Sequence, residues 1–235
     1  DHHIVQPRRF RDAVAHAAGP AQEGFLMTFG VVPARAETGY GYVRSGEALS
    51  DGLFHLAEFV EKPDLATAES YIAAGTYYWN SGMFLFRADR YLEELGLYQA
   101  DILAACDAAM ASAEQDLDFI RPAEAAFLAA PSDSIDYAVM EKTQHGGVAS
   151  LDCGWSDVGA WSALWELGQG DDRGNVIEGD VVVQDARGSY VRSESRLVTA
   201  LGIEDLVVVE TTDAVMVSSK HRVPDIKQLV DTLAQ

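Results

Sequence analysis

The sequence predicts an α/β domain followed by a smaller β-rich one, and three observations carry that prediction. Up to about residue 170, short apolar runs alternate with stretches of helical periodicity. From Asn175 onward, short β-rich runs recur roughly every ten residues, the spacing of a small all-β unit such as a few coils of a β-helix or a roll. Between them lies Gly168-Gln169-Gly170-Asp171-Asp172, a Gly/Asp-rich linker. The expected domains are therefore residues 1–170 and 171–235.

In chain order, Phe10–Ala18 reads as an amphipathic helix and Leu26–Val32 as a buried strand. Tyr40–Arg44 and Phe54–Val60 read as strands, and Asp64 as the N-cap of a helix through Ala74. Met83–Phe86 is expected as a short strand. Helices are expected at Arg90–Leu95, Ile102–Ser112, Ala123–Ala129 and Ser134–Lys142, the last capped by Ser134. Strands alternating with helices suggest a mainly parallel sheet covered on both faces. In the second domain, Val181–Val183, Ser189–Arg192, Leu197–Ala200, Val207–Glu210 and Val215–Ser218 are expected strands, followed by a helix over Pro224–Leu233.

Composition narrows the function. Acidic side chains number 37 against 17 basic, a formal charge of −20, so the basic stripe that nucleic-acid binding needs is absent. That charge leaves room for nucleotides and sugar phosphates, which a metal and one or two local cations can hold. No apolar run approaches the ~20 residues of a membrane span. Cys106 and Cys153 form no framework or metal pattern, as expected of reduced thiols. The six histidines are scattered and read as structural or exposed. Helical His-Glu-x-x-His, Cys-x-x-Cys, Gly-x-Ser-x-Gly, Walker and Gly-x-Gly-x-x-Gly motifs are all missing.

Four clusters place unusual residues at strand ends and loops, where sites tend to sit. In Phe59-Val60-Glu61-Lys62-Pro63 an apolar strand ends in an acid, a base and a proline. Glu61 can accept sugar hydroxyls and Lys62 can meet a phosphate as a point charge; a solvated strand end has the same pattern. Tyr77-Tyr78-Trp79-Asn80-Ser81-Gly82-Met83 reads as aromatics and a turn entering a strand. Asn80 there offers donors and acceptors to a polyol, or sits in an ordinary turn beside core rings. Thr38-Gly39-Tyr40-Gly41-Tyr42 exposes backbone beside rings, as a flexible hairpin also would. In Leu151–Trp161, Asp157 is expected at a helix start, either as an ordinary helix-start acid or as a metal ligand. Magnesium takes few protein carboxylates, so a partner acid is needed, and Asp1 is one candidate.

Taken in order, these stretches resemble the mannose-1-phosphate guanylyltransferases, especially the bacterial type. The matching residues are Thr28-Phe29-Gly30 with Pro33, Glu37–Tyr42, Phe59–Pro63, Tyr78–Phe84, Ser134–Glu141 and Gly154–Gly159. The resemblance implies a Rossmann-like nucleotide-sugar transferase domain followed by a left-handed β-helix-like domain. It also implies a reaction in which mannose 1-phosphate and GTP give GDP-mannose and pyrophosphate, in the cytoplasm and with Mg²⁺. By the same resemblance Asp1 and Asp157 hold the metal, Glu61 the mannose hydroxyls and Lys62 the sugar phosphate. Asn80 and the Gly39–Tyr40 backbone line the sugar pocket, with Asp136, Tyr137 and Glu141 beside it.

The family's Gly-rich, Arg-containing loop and lysine motif have no match here. The domain is therefore expected to be N-terminally incomplete, without its nucleotide-binding segment, and the isomerase activity that the bacterial type often carries in a further domain is not claimed for this chain. The β-rich tail and final helix offer a homodimer surface. Two other readings stand beside this one: a transferase for another sugar 1-phosphate or nucleotide, and a non-catalytic nucleotide-sugar-binding regulator.

Overall fold

Strand β1 (His2–Ile4) leads into helix α1 (Pro7–Gln22). Pro7 sits in the helix's first turn, where a missing N–H breaks no intrahelical bond. The computed structural model describes residues 1–159 and 161–233. The chain divides into two units, Ile4–Trp155 and a second made of Asp1–His3 with Ser156–Gln235. Ala160, inside the Leu151–Trp161 run, and residues 234 and 235 lie outside the described residues.

In the larger unit, β2 (Leu26–Val31) is buried at every position. Strands β3 (Tyr42–Ser50) and β4 (Leu53–Val60) form a hairpin across Asp51-Gly52. Helix α2 (Leu65–Ala74) begins where its cap predicts: the Asp64 carboxylate accepts the Thr67 N–H at 2.8 Å. That bond holds the Asp64 carboxyl below the usual range. Next come β5 (Tyr77–Leu85), α3 (Ala88–Tyr98) and α4 (Ala100–Ala111). A small hairpin of β6 (Glu114–Asp116) and β7 (Phe119–Arg121) precedes the short α5 (Glu124–Phe127).

The expected Ser134–Lys142 helix is a π-helical turn, Asp136–Met140, without a side-chain cap from Ser134. Ser134 contributes its carbonyl instead, accepting the Ala138 N–H at 2.8 Å. Ala138, Val139 and Met140 are buried and anchor the turn in the core. Burying a Val or Met side chain fully contributes roughly 1.5–3 kcal/mol, enough to hold a turn with irregular backbone bonding.

Strand β8 (Gly146–Leu151) completes a closed barrel in the order β2-β5-β3-β4-β8. Only the β2–β8 pair is parallel; the other four pairings are antiparallel. The expected mainly parallel sheet is therefore corrected. Helix–strand alternation does not dictate crossovers when a two-residue turn reverses the chain between β3 and β4. Two apolar clusters fill the unit. One joins Ala17 and Ala21 of α1 to Met27, Phe29, Tyr42, Trp79 and Leu151. The other joins Leu26, Val43, Leu95 and Val148 to Ala138–Met140.

The second unit pairs β1 with β9 (Trp155–Asp157). Asp157 is therefore a strand residue rather than a helix start, and α6 (Trp161–Leu167) begins beyond it. Strands β10 (Val176–Glu178), β11 (Val181–Gln184), β12 (Tyr190–Ser193), β13 (Val198–Leu201) and β14 (Leu206–Glu210) stack as parallel rungs. Val176 lies beside Tyr190, which lies beside Val207, while Val181 lies beside Val198. This is the coil-on-coil pairing of a β-helix, and its inward residues Val176, Tyr190 and Val207 form one buried stack. The antiparallel β15 (Val215–Ser219) ends it. The expected Pro224–Leu233 helix is a 3₁₀ turn, Lys220–Asp225, followed by α7 (Ile226–Leu233). Among the described residues no helix is long and apolar enough to cross a membrane.

Candidate functional site

The Tyr77–Met83 run, expected as a turn entering a strand, is itself strand β5. It carries an irregularity: Thr28 of β2 faces Phe84, whereas Gly30 faces Asn80. The bulge falls at Ser81–Met83, and Gly82 supplies the left-handed backbone it needs, with φ of +68°. Bulges re-aim side chains, and here the side chain is Asn80. Its Oδ1 accepts the Gly82 N–H and the Thr28 hydroxyl, each at 3.2 Å. Its Nδ2 donates to Asp136 Oδ1 at 3.1 Å. The amide has one orientation that satisfies an N–H donor on one side and a carboxylate on the other.

Glu61 comes to the same place from the end of β4. A Cβ on Gly41 would overlap Glu61 Oε2, so glycine here leaves the Glu61 carboxylate the room it occupies. Gly41 also accepts the Asn80 N–H through its carbonyl at 2.7 Å. Lys62 Nζ lies 3.3 Å from Glu61 Oε1 and is largely exposed, whereas the Glu61 side chain is mostly covered. Lys62 has φ of +47° immediately before buried Pro63, a backbone state costing of order 1–3 kcal/mol for a residue of this kind. Strain of that size marks positions where geometry matters more than local stability.

Glu141 follows the π-helical turn. Burial pushes its carboxyl above the ordinary range; Lys142 opposes this, and the negative charges of Glu61, Asp136 and Asp133 add to it. The structure thus gathers Glu61, Lys62, Asn80, Asp136 and Glu141 from three separate motifs. Tyr137, on the same turn, is 46% exposed.

Gly39 and Tyr40 lie in the loop before β3. The Gly39 N–H donates to Glu37 Oε1 at 3.1 Å, and the Glu37 N–H donates to the Tyr42 hydroxyl at 2.9 Å. Tyr40 packs edge-on against Trp79 and Trp155, with ring centroids 5.4 and 5.6 Å away. Arg35 sits over Trp79 at 5.9 Å. Sequence reasoning assigned no role to Thr28 or Gly41. Both lie in matching stretches, and the Gly-Tyr-Gly spacing was the available signal for Gly41.

In the second unit, Asp157 ends β9 with its side chain 41% exposed, and its Oδ1 is 3.8 Å from the Asp1 nitrogen. The Val158 N–H donates to the Asp1 carbonyl at 2.7 Å, which fixes residue 1 beside this strand end. Among the described residues no group of three or more His, Cys, Asp or Glu side chains is arranged to hold a metal. What the structure brings together is the Asp1 backbone and the exposed Asp157 carboxylate; carboxylate oxygens are the donor type a hard divalent cation takes, with remaining ligands from water and phosphate. Of the histidines, His16 Nε2 is 2.9 Å from the Asp51 carbonyl oxygen, and His145 Nδ1 lies 3.3 Å from Glu94.

Residues 1–173 match the nucleotidyl transferase family model, and residues 179–233 match the mannoseP isomerase/GMP-like beta-helix domain. The chain belongs to the nucleotidyl transferase family, with a β-helix-like domain following the transferase domain. More particularly, it is similar to mannose-1-phosphate guanylyltransferases. It is 54% identical over 237 residues to the one named ManC from Salmonella typhimurium, covering 99% of this chain and 49% of that protein. It is 52% identical over 237 residues to the one from Escherichia coli K12, covering 99% of this chain and 50% of that protein. The chain thus spans about half the length of the curated relatives it matches. A crystal structure described as a mannose-1-phosphate geranyltransferase from Thermus thermophilus superposes with a TM-score of 0.88 at 32% identity. That match covers all of this chain and 68% of the other. The resemblance read from six stretches of sequence is borne out.

Proposed function

We propose that this protein makes GDP-mannose and pyrophosphate from GTP and mannose 1-phosphate, by in-line attack of the sugar phosphate on the α-phosphorus. The observation that carries the reading is the Asn80–Asp136 hydrogen bond beside Glu61. It joins three motifs into one polar cluster able to read a polyol. Asn80, Asp136 and Glu61 offer donors and acceptors to mannose hydroxyls, with Gly39, Tyr40, Tyr137 and Glu141 lining the same site. Lys62, exposed beside Glu61, takes the sugar phosphate, exchanging an intramolecular ion pair for one with the substrate.

In-line phosphoryl chemistry asks for alignment and charge neutralisation more than for proton transfer. Asp1 and Asp157 are the pair that would hold Mg²⁺, which supplies neutralisation of the phosphate oxygens when bound. The same proposal takes the protein to act in the cytoplasm, where GTP is available, and to be a homodimer.

The test is pyrophosphate release by the native full-length protein with Mg²⁺, a nucleotide panel and a sugar 1-phosphate panel. Release confined to GTP with mannose 1-phosphate, and abolished by a chelator, is the expected result. Release with a different pair would reassign the substrates, and no release with any pair would overturn the enzyme reading.

A further inference from the structure

Thr28 is fully buried on β2, a polar side chain in a strand with no exposed position. A buried hydroxyl needs a partner, and this one has two within reach. Its Oγ1 is 3.2 Å from Asn80 Oδ1 and 3.3 Å from the Met83 carbonyl oxygen. Those two acceptors stand at the two ends of the β5 bulge. The Gly82 N–H binds the same Asn80 oxygen from inside the bulge, and the Ser81 hydroxyl accepts the Met83 N–H at 3.2 Å. The Thr28 hydroxyl has one proton, shared between Asn80 Oδ1 and the Met83 carbonyl, while the Asn80 Nδ2 is turned toward Asp136.

We infer that Thr28 is a positioning residue for sugar recognition. Its buried hydroxyl clasps the β5 bulge and sets the orientation in which Asn80 presents its amide to Asp136 and to the substrate. This rests on the proposed placement of the sugar at Asn80. Thr28 touches no substrate itself. Without its hydroxyl, Asn80 Oδ1 keeps only the Gly82 N–H, and the Met83 carbonyl loses its share of the same single hydroxyl proton. The amide is then free to rotate away from Asp136, so the loss falls on sugar binding rather than on nucleotide binding. Valine fills the same volume in a β-strand, which separates the hydroxyl from the packing.

The experiment measures mannose 1-phosphate affinity by calorimetry, and KM for each substrate, in the native full-length protein. The variants are Thr28→Val, Thr28→Ser, Asn80→Ala and the Thr28→Val/Asn80→Ala pair, each with a melting midpoint. Thr28→Val is expected to weaken sugar-phosphate binding about tenfold, equivalent to about 1.4 kcal/mol, with the GTP KM unchanged. Thr28→Ser should recover most of that affinity, and the double variant should bind no worse than Asn80→Ala alone, because the two act as one unit. An unchanged affinity in Thr28→Val, with Asn80→Ala weakened, would overturn this role while leaving the site reading intact. A lower melting midpoint without a change in sugar affinity would do the same. An unchanged affinity in Asn80→Ala would instead sink the placement of the sugar, and the role of Thr28 with it.

Discussion

Asn80 Nδ2 donates to Asp136 Oδ1 at 3.1 Å, joining a bulged barrel strand to a π-helical turn 56 residues further along the chain. Asp136 is the residue whose acceptor keeps the amide turned outward from the bulge. With the sugar placed at Asn80 as proposed, Asp136→Ala should weaken mannose 1-phosphate binding by about tenfold, the scale of one hydrogen bond. The turn itself should survive, because Ala138, Val139 and Met140 hold it by burial. Calorimetry with the sugar phosphate checks the first half, and a melting curve close to the unsubstituted protein checks the second.

Gly41 offers a sharper test of the carboxylate beside it. An added Cβ would meet Glu61 Oε2, the far end of a flexible side chain, while its other neighbours, Asn80 Cβ and the Val60 carbonyl, stand at 3.4 Å. Gly41→Ala should push the Glu61 carboxylate aside at little structural cost. Sugar-phosphate affinity should fall several-fold while the melting midpoint moves by no more than about 2–4 °C, the shift of ~1 kcal/mol in a protein of this size. An unchanged affinity in the folded variant would show that Glu61 does not contribute from this position.

Asp157→Asn removes a charge and keeps the size of a side chain that is 41% exposed, so the fold should tolerate it. If Asp157 and Asp1 hold the metal, turnover should drop by at least about a hundredfold, the scale seen when charge stabilisation at a reacting phosphate or oxyanion is removed. The concentration of Mg²⁺ needed for half-maximal activity should rise as well. Activity at the original Mg²⁺ dependence would remove Asp157 from the metal assignment.

Some of this was written in the sequence and some was not, for reasons that can be located. The cap at Asp64 and the β-helix rungs were legible because a local bond and a local alternation specify them. Asn80-Ser81-Gly82 was misread as a turn because a bulge uses the same residues. What makes it a bulge is its pairing with β2, which local spacing does not contain. Strand β8 was missed because Gly146-Gly147-Val148-Ala149-Ser150-Leu151 lacks the bulky branched residues of a typical strand. Its small residues are demanded by neighbours: a Cβ on Gly146 would lie 2.7 Å from Leu56 Cδ2, and one on Gly147 would overlap the Met27 sulfur. The candidate residues Glu61, Asn80 and Asp136 could be singled out by type, whereas the Asn80–Asp136 and Thr28–Asn80 contacts needed the barrel to bring distant segments together.

Glu210 gives a prediction about pH in the second unit. Its side chain is 2% exposed, at the end of β14, and its carboxylate organises the turn between β12 and β13. It accepts the Ser195 hydroxyl and the N–H groups of Ser195 at 2.9 Å, Arg196 at 3.2 Å and Glu194 at 3.1 Å. Those donors, the Ser195 hydroxyl foremost and then the Ser195 N–H, outweigh the opposing effect of burial and hold its carboxyl down at about 2. An unfolded glutamate titrates near ~4.3. Between these two values the unfolded chain binds a proton that the folded chain does not, so stability falls as pH falls. The contribution is fully present above the unfolded value and is lost as the pH drops through the folded one. Glu210→Gln keeps the shape but replaces an all-acceptor carboxylate with a group that must place an NH₂ among donors. It should lower the melting midpoint at neutral pH, and the gap to the unsubstituted protein should close as both are titrated from about pH 5 toward pH 2. A gap that stays constant across that range would mean that the charge on Glu210 is not what holds the turn.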